Sequence, residues 1–202
     1  MKALVLNYGV GNLFSIANSL KRTGFSVTIA SEPMENSDLV VLPGVGTFKA
    51  VAKFLNDRAE LFNKLLETGM AFLGICLGMH VMFEYGFEGG VTSKGLGWFR
   101  GYVDRLKVSA KLPHIGWDKI MYTGSAICSE FQELNGMYMY FIHSYAAYGY
   151  DVNVVCFMSR YGEAEFPAMI VRDRVIATQF HPEKSSSNGM LFFKALLRWL
   201  KK

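Results

Sequence analysis

Apolar runs of strand length alternate along the first part of the chain with segments of helical periodicity. The runs cover residues 3–6, 26–29, 39–42 and 71–75. Between the first two, apolar residues recur at helical spacing before Gly24, at Leu13, Ile16, Ala17 and Leu20. This part of the chain therefore predicts the order β-α-β-β, with a helix ended by glycine.

A second helical region lies between the third and fourth apolar runs. Residues 47–68 carry apolar side chains at Val51, Leu55, Phe62 and Leu65, with a break at residues 56–57. Apolar strands without polar alternation, separated by helices, are typical of a parallel sheet buried on both faces. We therefore expect an α/β fold, with a mostly parallel central sheet and helices on both faces.

The second half of the chain has a different pattern. Short apolar runs at residues 137–142, 153–158 and 168–171 predict a strand-rich region between residues 95 and 176. Serines at residues 185–187 are candidates to cap a final helix with one apolar stripe, formed by Met190, Phe193, Leu197 and Leu200. Because no repeat or linker interrupts the chain, we expect a single domain over residues 1–202.

Composition and charge narrow the class of protein. Apolar residues make up 51% of the 202 residues, which excludes a disordered chain. The longest uncharged apolar stretch, residues 71–83, is shorter than the roughly 20 residues of a membrane span. The net charge of +4 is spread along the chain, so we expect neither a membrane nor a nucleic acid as partner. The chain begins with a strand-like run rather than a signal peptide, so a cytoplasmic location is expected.

The cysteines and histidines do not form a recognisable metal or disulfide pattern. Three cysteines, Cys76, Cys128 and Cys156, have no CxxC pair and no framework spacing. We therefore expect free thiols. Neither a metal-ligand spacing nor a phosphate-binding GxxxxGK[ST] motif occurs, so no cofactor and no metal are expected.

A cysteine stands between glycines where the fourth apolar run ends. The sequence Gly-Ile-Cys-Leu-Gly over residues 74–78 resembles a nucleophile elbow in which Cys76 replaces serine. Such a turn exposes the nucleophile at the carboxyl end of the sheet, next to backbone N–H groups that stabilise an oxyanion. A buried cysteine in a tight turn explains the pentapeptide equally well.

Two further segments supply the groups that a nucleophilic cysteine needs. His181 follows a strand-like run and is separated by one proline from Glu183, which predicts a base with its orienting carboxylate. The Pro-Gly-Val-Gly loop over residues 43–46 follows the third run and is a candidate second oxyanion donor, although a strand-terminating turn also explains it.

Together these segments resemble the class I, triad-type glutamine amidotransferases over nearly the whole chain. Within that family, four segments are similar to the glutaminase subunits of imidazole glycerol phosphate synthases: NYGVGN at 7–12, PGVGTF at 43–48, HIGW at 114–117 and YFIHSY at 140–145. The resemblance implies a flavodoxin-like fold, hydrolysis of L-glutamine through a thioester, and transfer of ammonia to a separate (β/α)8-barrel cyclase subunit in histidine biosynthesis.

The resemblance also implies a role for individual residues. Cys76, His181 and Glu183 would form the catalytic triad, and the backbone at Leu77, Val45 and Gly46 would form the oxyanion hole. The implied substrate-binding positions are Gly44, His80, Glu88, Ser144 and Tyr145. The implied contacts with the cyclase in a heterodimer are Asn12, Trp117, Tyr140 and Lys184.

One position departs from the family pattern. Where the family usually has glutamine, four residues after the nucleophile, this chain has His80. A neutral imidazole has one donor and one acceptor, whereas an amide has more of each, so the substrate contact at this position is open. The alternatives to this function are the glutaminase of another ammonia-using synthase and a non-catalytic regulatory subunit. We expect His114 and His143 to be structural or interface residues.

Overall fold

The computed structural model describes residues 1–9, 11–44 and 46–202. The α-helices are α1 (Leu13–Arg22), α2 (Phe48–Asn56), α3 (Ala59–Glu67), α4 (Leu77–His80) and α5 (Ser186–Trp199). The strands are β1 (Lys2–Leu6), β2 (Ser26–Ala30), β3 (Leu39–Leu42), β4 (Ala71–Ile75), β5 (Phe83–Glu88), β6 (Val91–Lys94), β7 (Phe99–Arg105), β8 (His114–Lys119), β9 (Met121–Tyr122), β10 (Tyr138–His143), β11 (Tyr145–Tyr148), β12 (Val155–Tyr161), β13 (Ala164–Arg172) and β14 (Val175–Thr178). Three 3₁₀ segments, Ala126–Leu134, Val152–Val154 and Pro182–Lys184, lie between them.

The central sheet is mostly parallel, which confirms the expected fold class. Its eight strands run in the order β2-β1-β3-β4-β14-β13-β12-β9. The first five are mutually parallel, and the last three continue the sheet in antiparallel pairs. The order β2-β1-β3-β4 is that of a flavodoxin-like sheet, in which ligands bind beyond the carboxyl ends of the strands.

The helices cover both faces of this sheet, as the unbroken apolar strands predict. In β1, Ala3 and Val5 belong to one core, with α1 and α5, while Leu4 and Leu6 belong to the other, with α2 and α3. All four of these strand residues are at most 2% exposed. A strand that is buried on both sides has no polar face, which explains why its sequence does not alternate.

Four loops of the parallel half meet at one edge of the sheet. They follow β1, β3, β4 and β14, which are neighbours in the sheet. Because these strands are parallel, their carboxyl ends lie on the same side. The segments that the sequence singles out, residues 7–12, 43–46, 74–78 and 180–183, are therefore brought together by the topology, as far as the structure describes them.

The second half is strand-rich, as expected, and it builds two smaller sheets beside this edge. β8 and β10 form an antiparallel ribbon in which Trp117 pairs with Tyr140. β11, β7, β5 and β6 form a four-stranded sheet. Strand boundaries differ slightly from expectation, since Met137 precedes β10 and residues 153–154 lie in a 3₁₀ turn before β12.

The final helix forms, but its buried face and its cap differ from expectation. Met190 and Leu197 are half-buried, and the most buried positions are Gly189, Phe192, Phe193, Ala195, Leu196 and Trp199. Two of the four residues of the predicted stripe, Phe193 and Leu200, are confirmed as buried, and the true core face is wider than the stripe. Ser185 occupies the N-cap position without capping the helix, because its hydroxyl donates to the His181 carbonyl at 2.7 Å and accepts from the Tyr140 N–H at 2.9 Å.

The expectation of three free thiols was wrong for two of them. Cys128 and Cys156 form a disulfide, with their Cα atoms 5.9 Å apart, and both are fully buried. The fold brings the 3₁₀ segment that carries Cys128 next to β12, which carries Cys156. A separation of 28 residues along the chain gives no sign of this proximity.

The helices are short. The longest in the described ranges, α5, has 14 residues, whereas crossing a bilayer takes about 20 apolar residues. In the part of the chain that the structure describes, no helix has the length and apolarity needed to cross a membrane.

Candidate active site

Cys76 lies on a strained turn between β4 and α4. Its φ is +51° and its ψ is −105°, a conformation that non-glycine residues rarely adopt. The flanking glycines permit it, because a Cβ on Gly78 would lie 2.0 Å from the Leu42 carbonyl oxygen, and one on Gly74 would lie 2.6 Å from that of Gly78. The sequence motif and the geometry therefore agree on a nucleophile elbow, with a following helix of a single turn.

The sulfur of Cys76 has two polar neighbours besides the histidine. It lies 3.7 Å from the carbonyl oxygen of Ile142 in β10 and 3.8 Å from the side-chain nitrogen of Gln179. The Cys76 N–H donates to the Thr178 carbonyl at 2.7 Å, which ties the elbow to β14. Neither Ile142 nor Gln179 was among the residues expected from the sequence.

His181 and Glu183 form a buried pair beside the cysteine. Nδ1 of His181 lies 2.8 Å from Oε1 of Glu183, and the two side chains are 3% and 1% exposed. Burial lowers the pKa of His181, but the interactions with Cys76 and Glu183 outweigh it and raise this pKa to about 10. Within the described residues the other ring nitrogen, Nε2, is buried and has no hydrogen-bond partner. That nitrogen is therefore free to exchange a proton with a group in the cavity.

The expected oxyanion residues lie against the elbow where the structure describes them. Leu77 is the first residue of α4, so its N–H has no partner within the helix. Gly44 packs directly against it, since a Cβ at Gly44 would lie 2.6 Å from the Leu77 nitrogen and 1.9 Å from the Ile75 carbonyl oxygen. Gly46 has a φ of +127° and lines the same cavity. Val45 lies outside the described residues.

These groups open into one cavity of about 390 Å³. All five expected substrate-binding positions line it, together with residues that the sequence did not indicate. The lining residues are Gly44, Gly46, Phe48, Cys76, Leu77, His80, Gly86, Phe87, Glu88, Val103, Pro113, Ile142, His143, Ser144, Tyr145, His181 and Lys184. The cavity is large enough for a free amino acid.

The polar groups of the cavity wall are held by backbone contacts. Oε2 of Glu88 accepts from the Phe48 N–H at 2.6 Å, at the start of α2. The Ser144 carbonyl accepts from the Leu106 N–H at 2.8 Å, and the Tyr145 carbonyl lies 2.9 Å from Nδ1 of His143. A carboxylate and a fixed backbone segment thus face the same space as Cys76.

His80 is buried and pairs with Gln179 behind the elbow. Its Nε2 lies 2.8 Å from Oε1 of Gln179. Burial lowers the pKa of His80 to about 4, against the opposing effect of the Gln179 hydrogen bond, so this imidazole is neutral at pH 7.

His114 and His143 form a hydrogen-bonded chain from the surface to the cavity. Nδ1 of His114 lies 2.9 Å from Nε2 of His143, and Nε2 of His114 lies 2.6 Å from a carboxylate oxygen of Asp118. The expected structural role fits this chain, and His143 also lines the cavity.

Three of the four residues expected at a partner interface lie next to one another. The rings of Trp117 and Tyr140 are 5.8 Å apart, and Nζ of Lys184 lies 5.9 Å from the centre of the Tyr140 ring. Asn12 precedes α1, which contacts the Pro182–Lys184 segment. We call the exposed side of the β8–β10 pair the ribbon face; it consists of Ile115, Trp117, Tyr138, Tyr140 and Ile142.

No metal site emerges from the geometry. Across residues 1–9, 11–44 and 46–202, no three His, Cys, Asp or Glu side chains are grouped so that they could hold a metal ion. The four histidines instead pair with one another, with glutamine or with carboxylates.

The buried neutral histidines predict a loss of stability in mild acid. Burial lowers the pKa of His80 to about 4 and that of His143 to about 3, from 6.5. Below pH 6.5 the unfolded chain therefore binds protons that the folded chain does not. Each histidine then lowers the free energy of unfolding by up to about 1.4 kcal/mol per pH unit. Urea unfolding at pH 7, 6 and 5 should show this decrease.

The variant His80→Gln provides the control for this pH dependence. It removes one of the histidines whose pKa is lowered, so the decrease between pH 6.5 and 5 should become shallower than in the native chain. An equal slope in the two proteins, or a flat native profile, would contradict the assignment.

Comparisons with known proteins agree with this fold and geometry. The family described as "Glutamine amidotransferase class-I" matches residues 4–199. Among solved structures, a putative GMP synthase protein from Thermoplasma acidophilum has a TM-score of 0.74 at 17% identity, covering 100% of this chain and 94% of its own. PurLQS from Thermotoga maritima has a TM-score of 0.73 at 18% identity, with 98% of each chain covered. At this identity both show the fold alone.

The chain belongs to the class I glutamine amidotransferase family, and it is a glutamine amidotransferase by fold and by sequence. Its curated relatives narrow the comparison. The imidazole glycerol phosphate synthase subunit HisH of Saccharolobus solfataricus is 50% identical, over 100% of both chains. The protein of the same name from Sulfurisphaera tokodaii is also 50% identical over 100% of both chains.

Proposed function

We propose that this chain is the glutaminase subunit of an imidazole glycerol phosphate synthase. The observation that carries the proposal is that Cys76, His181 and all five expected substrate positions surround one cavity, with Glu183 hydrogen-bonded to His181. The full-length similarity to two HisH subunits supports the choice of synthase. The chain acts as a single domain over residues 1–202, needs no cofactor, and works in the cytoplasm in histidine biosynthesis.

The proposed chemistry is a two-step acyl transfer. The Cys76 proton passes to Nε2 of His181, whose raised pKa favours this transfer, and the resulting thiolate attacks the side-chain amide carbon of glutamine. The tetrahedral oxyanion is stabilised by the N–H of Leu77 and by the Gly44–Gly46 backbone. His181 then protonates the leaving amide nitrogen, and ammonia departs from a thioester. Water activated by His181 hydrolyses the thioester to glutamate, and Glu183 orients the imidazole throughout.

The proposed glutamine site uses the opposite wall of the cavity. The Glu88 carboxylate binds the α-ammonium group, and the Ser144–Tyr145 backbone seats the amino-acid end. The absence of a side chain at Gly44 lets the loop after β3 pack directly on the elbow, because any Cβ there would collide with the elbow backbone. His80 borders the same space. This arrangement matches a zwitterion with a reactive amide at its far end.

The proposed partner is a (β/α)8-barrel cyclase subunit that binds the ribbon face. Trp117 and Ile115 are about half exposed, at 46% and 56%. Ile142 belongs to the same strand face, while its carbonyl oxygen lies at the Cys76 sulfur. A barrel that covers Trp117, Tyr140, Lys184 and Asn12 would therefore receive ammonia directly from the cavity.

The function is tested by supplying the partner. This chain, mixed with the cyclase subunit of imidazole glycerol phosphate synthase and its ribotide substrate, should form imidazole glycerol phosphate from glutamine. It should not support synthesis from glutamine by the synthase subunits that make anthranilate or GMP. The reverse result would assign the chain to another ammonia-using synthase.

Trp117→Ala should weaken the complex strongly. A half-exposed tryptophan that becomes buried in an interface is a typical hot spot, worth about 2 kcal/mol or more, which is roughly a 30-fold increase in Kd. Titration of the cyclase with native and variant chains measures the change. Leu61→Ala, on the exposed side of α3, is the matched control and should bind as the native chain does. Equal affinity of the Trp117 variant would remove the ribbon face from the interface.

A further inference from the structure

Two buried side chains, His80 and Gln179, form a hydrogen-bonded chain that reaches the Cys76 sulfur. His80 lies 2.8 Å from Oε1 of Gln179, and the amide nitrogen of Gln179 lies 3.8 Å from Sγ of Cys76. Gln179 is fully buried and His80 is 5% exposed. Neither contact has a part in the acyl transfer proposed for Cys76 and His181.

The backbone holds all three members of this chain in place. The His80 N–H donates to the Cys76 carbonyl at 3.0 Å, and the Gln179 N–H donates to the Ala168 carbonyl at 2.9 Å. Cys76 itself is bonded to Thr178, the residue before Gln179. The remaining freedom is therefore in the side chains, above all in the orientation of the Gln179 amide.

Hydrogen-bond chemistry links that orientation to the position of the proton on His80. An amide oxygen only accepts, so Nε2 of His80 must carry the proton that it shares with Oε1 of Gln179. The amide NH₂ group is then the end that faces the sulfur. If His80 carried its proton on Nδ1 instead, the amide would turn over and present its oxygen to Cys76.

We propose that His80 is a positioning residue, which orients Gln179 so that the Gln179 amide donates an N–H to the sulfur of Cys76. An N–H donor stabilises the negative charge that the sulfur carries once its proton has moved to His181. An oxygen in the same place would oppose that charge. His80 thus acts on the nucleophile through Gln179, not by binding glutamine.

This role differs from a substrate contact in its kinetic signature. A residue that binds glutamine changes KM, whereas a residue that orients the nucleophile changes kcat. The test has two arms. The first measures glutaminase kinetics and therefore rests on the proposed function. The second measures the chemical modification of Cys76, which does not depend on that function, so the two arms can fail separately.

The kinetic arm uses the complex with the cyclase subunit. His80→Leu, which cannot donate, should lower kcat for glutamine about tenfold or more, with KM changed less than about threefold. His80→Gln restores a donor and should recover kcat to within about threefold of the native value. Gln179→Glu replaces the NH₂ group by a carboxylate oxygen and should lower kcat about a hundredfold or more. A rise in KM with unchanged kcat in His80→Leu would make His80 a substrate contact and overturn the proposal.

The second arm uses the chain alone. Iodoacetamide should alkylate Cys76 at pH 7 at least about fivefold more slowly in His80→Leu and Gln179→Glu than in the native chain, with the rate recovered in His80→Gln. Met34→Ala, in an exposed loop, is the control.

The ¹⁵N chemical shifts of native His80 should be those of a neutral ring protonated on Nε2. A ring protonated on Nδ1, or equal alkylation rates, would overturn the proposal without any variant having to be active. If alkylation behaves as expected but the native complex does not use glutamine, the proposed function fails, while the positioning role of His80 stands.

Discussion

Cys76→Ala should reduce glutamine-dependent synthesis by the assembled pair to background while leaving synthesis from ammonium salt intact. In the proposed chemistry the Cys76 sulfur forms the thioester, and alanine offers no atom that can replace it. The cyclase requires only ammonia, whatever its source. Alanine keeps the Cβ at a position where φ is +51°, so the elbow itself is preserved. Product formation from glutamine and from ammonium chloride, measured side by side, gives the result.

Two controls separate the chemistry from the fold. Cys76→Ser keeps a hydroxyl at the same point and should also lose glutamine-dependent synthesis, because a hydroxyl is far less acidic than a thiol and gives up its proton to His181 far less readily. Both variants should bind the cyclase as the native chain does. Glutamine hydrolysis near the native rate in Cys76→Ala would assign the nucleophile elsewhere, and loss of ammonium-dependent synthesis would indicate a disrupted complex.

The parallel half of the fold could be predicted from the sequence because each of its buried strands has a pattern that is visible within a few consecutive residues. Strands buried on both faces need unbroken apolar runs, such as residues 39–42 and 71–75, and glycine-flanked turns follow them. Residues 43–46, 74–78 and 179–183 end three neighbouring parallel strands, so their meeting at one sheet edge follows from topology alone. The candidate triad was therefore within reach of sequence reasoning.

The other wall of the cavity was not predictable in this way. It is built from β10 and the segment after it, where Ile142 offers a backbone carbonyl and His143 an imidazole. A backbone carbonyl has no sequence signature, and a histidine in a strand is usually structural. The Cys128–Cys156 disulfide escaped for a related reason, since the proximity of two elements far apart in sequence is a product of the fold.

Gln179 is a further residue whose role could not be predicted from the sequence, although it directly precedes the Phe-His-Pro-Glu segment at residues 180–183. Its place two residues before His181 suggests nothing beyond a strand end, and only the three-dimensional pairing with His80 places its amide at the sulfur. The departure from the family pattern at His80 was visible in the sequence, but its partner was not. The alignment of Cys76 with Gln179 depends on the adjacency of β4 and β14.

The loop that follows β1 carries Asn12, an expected contact with the partner, and packs against the loop that contains Pro43 and Gly44. Gly11, next to Asn12, packs so closely on Pro43 that a Cβ there would lie 2.9 Å from the Pro43 Cβ. The Tyr8 hydroxyl donates to the Pro43 carbonyl, and burial together with the charge of Cys76 raises the pKa of Tyr8, which keeps this donor protonated. A contact at Asn12 can therefore shift the backbone beside Gly44.

The isolated chain should accordingly hydrolyse glutamine slowly and be activated when the cyclase, carrying its nucleotide ligand, binds. We expect docking on Asn12, Lys184 and the ribbon face to set the backbone around Gly44 and Gly46 so that an N–H points at the oxyanion. One such donor contributes roughly 3 to 4 kcal/mol, so the activation should be about 10² to 10³ in turnover. Coupling of this kind would prevent glutamine from being hydrolysed when no acceptor is present. Steady-state glutaminase rates for the chain alone, with the cyclase, and with the cyclase plus ligand give the answer. Three equal rates would show that the oxyanion hole is already complete in the free chain.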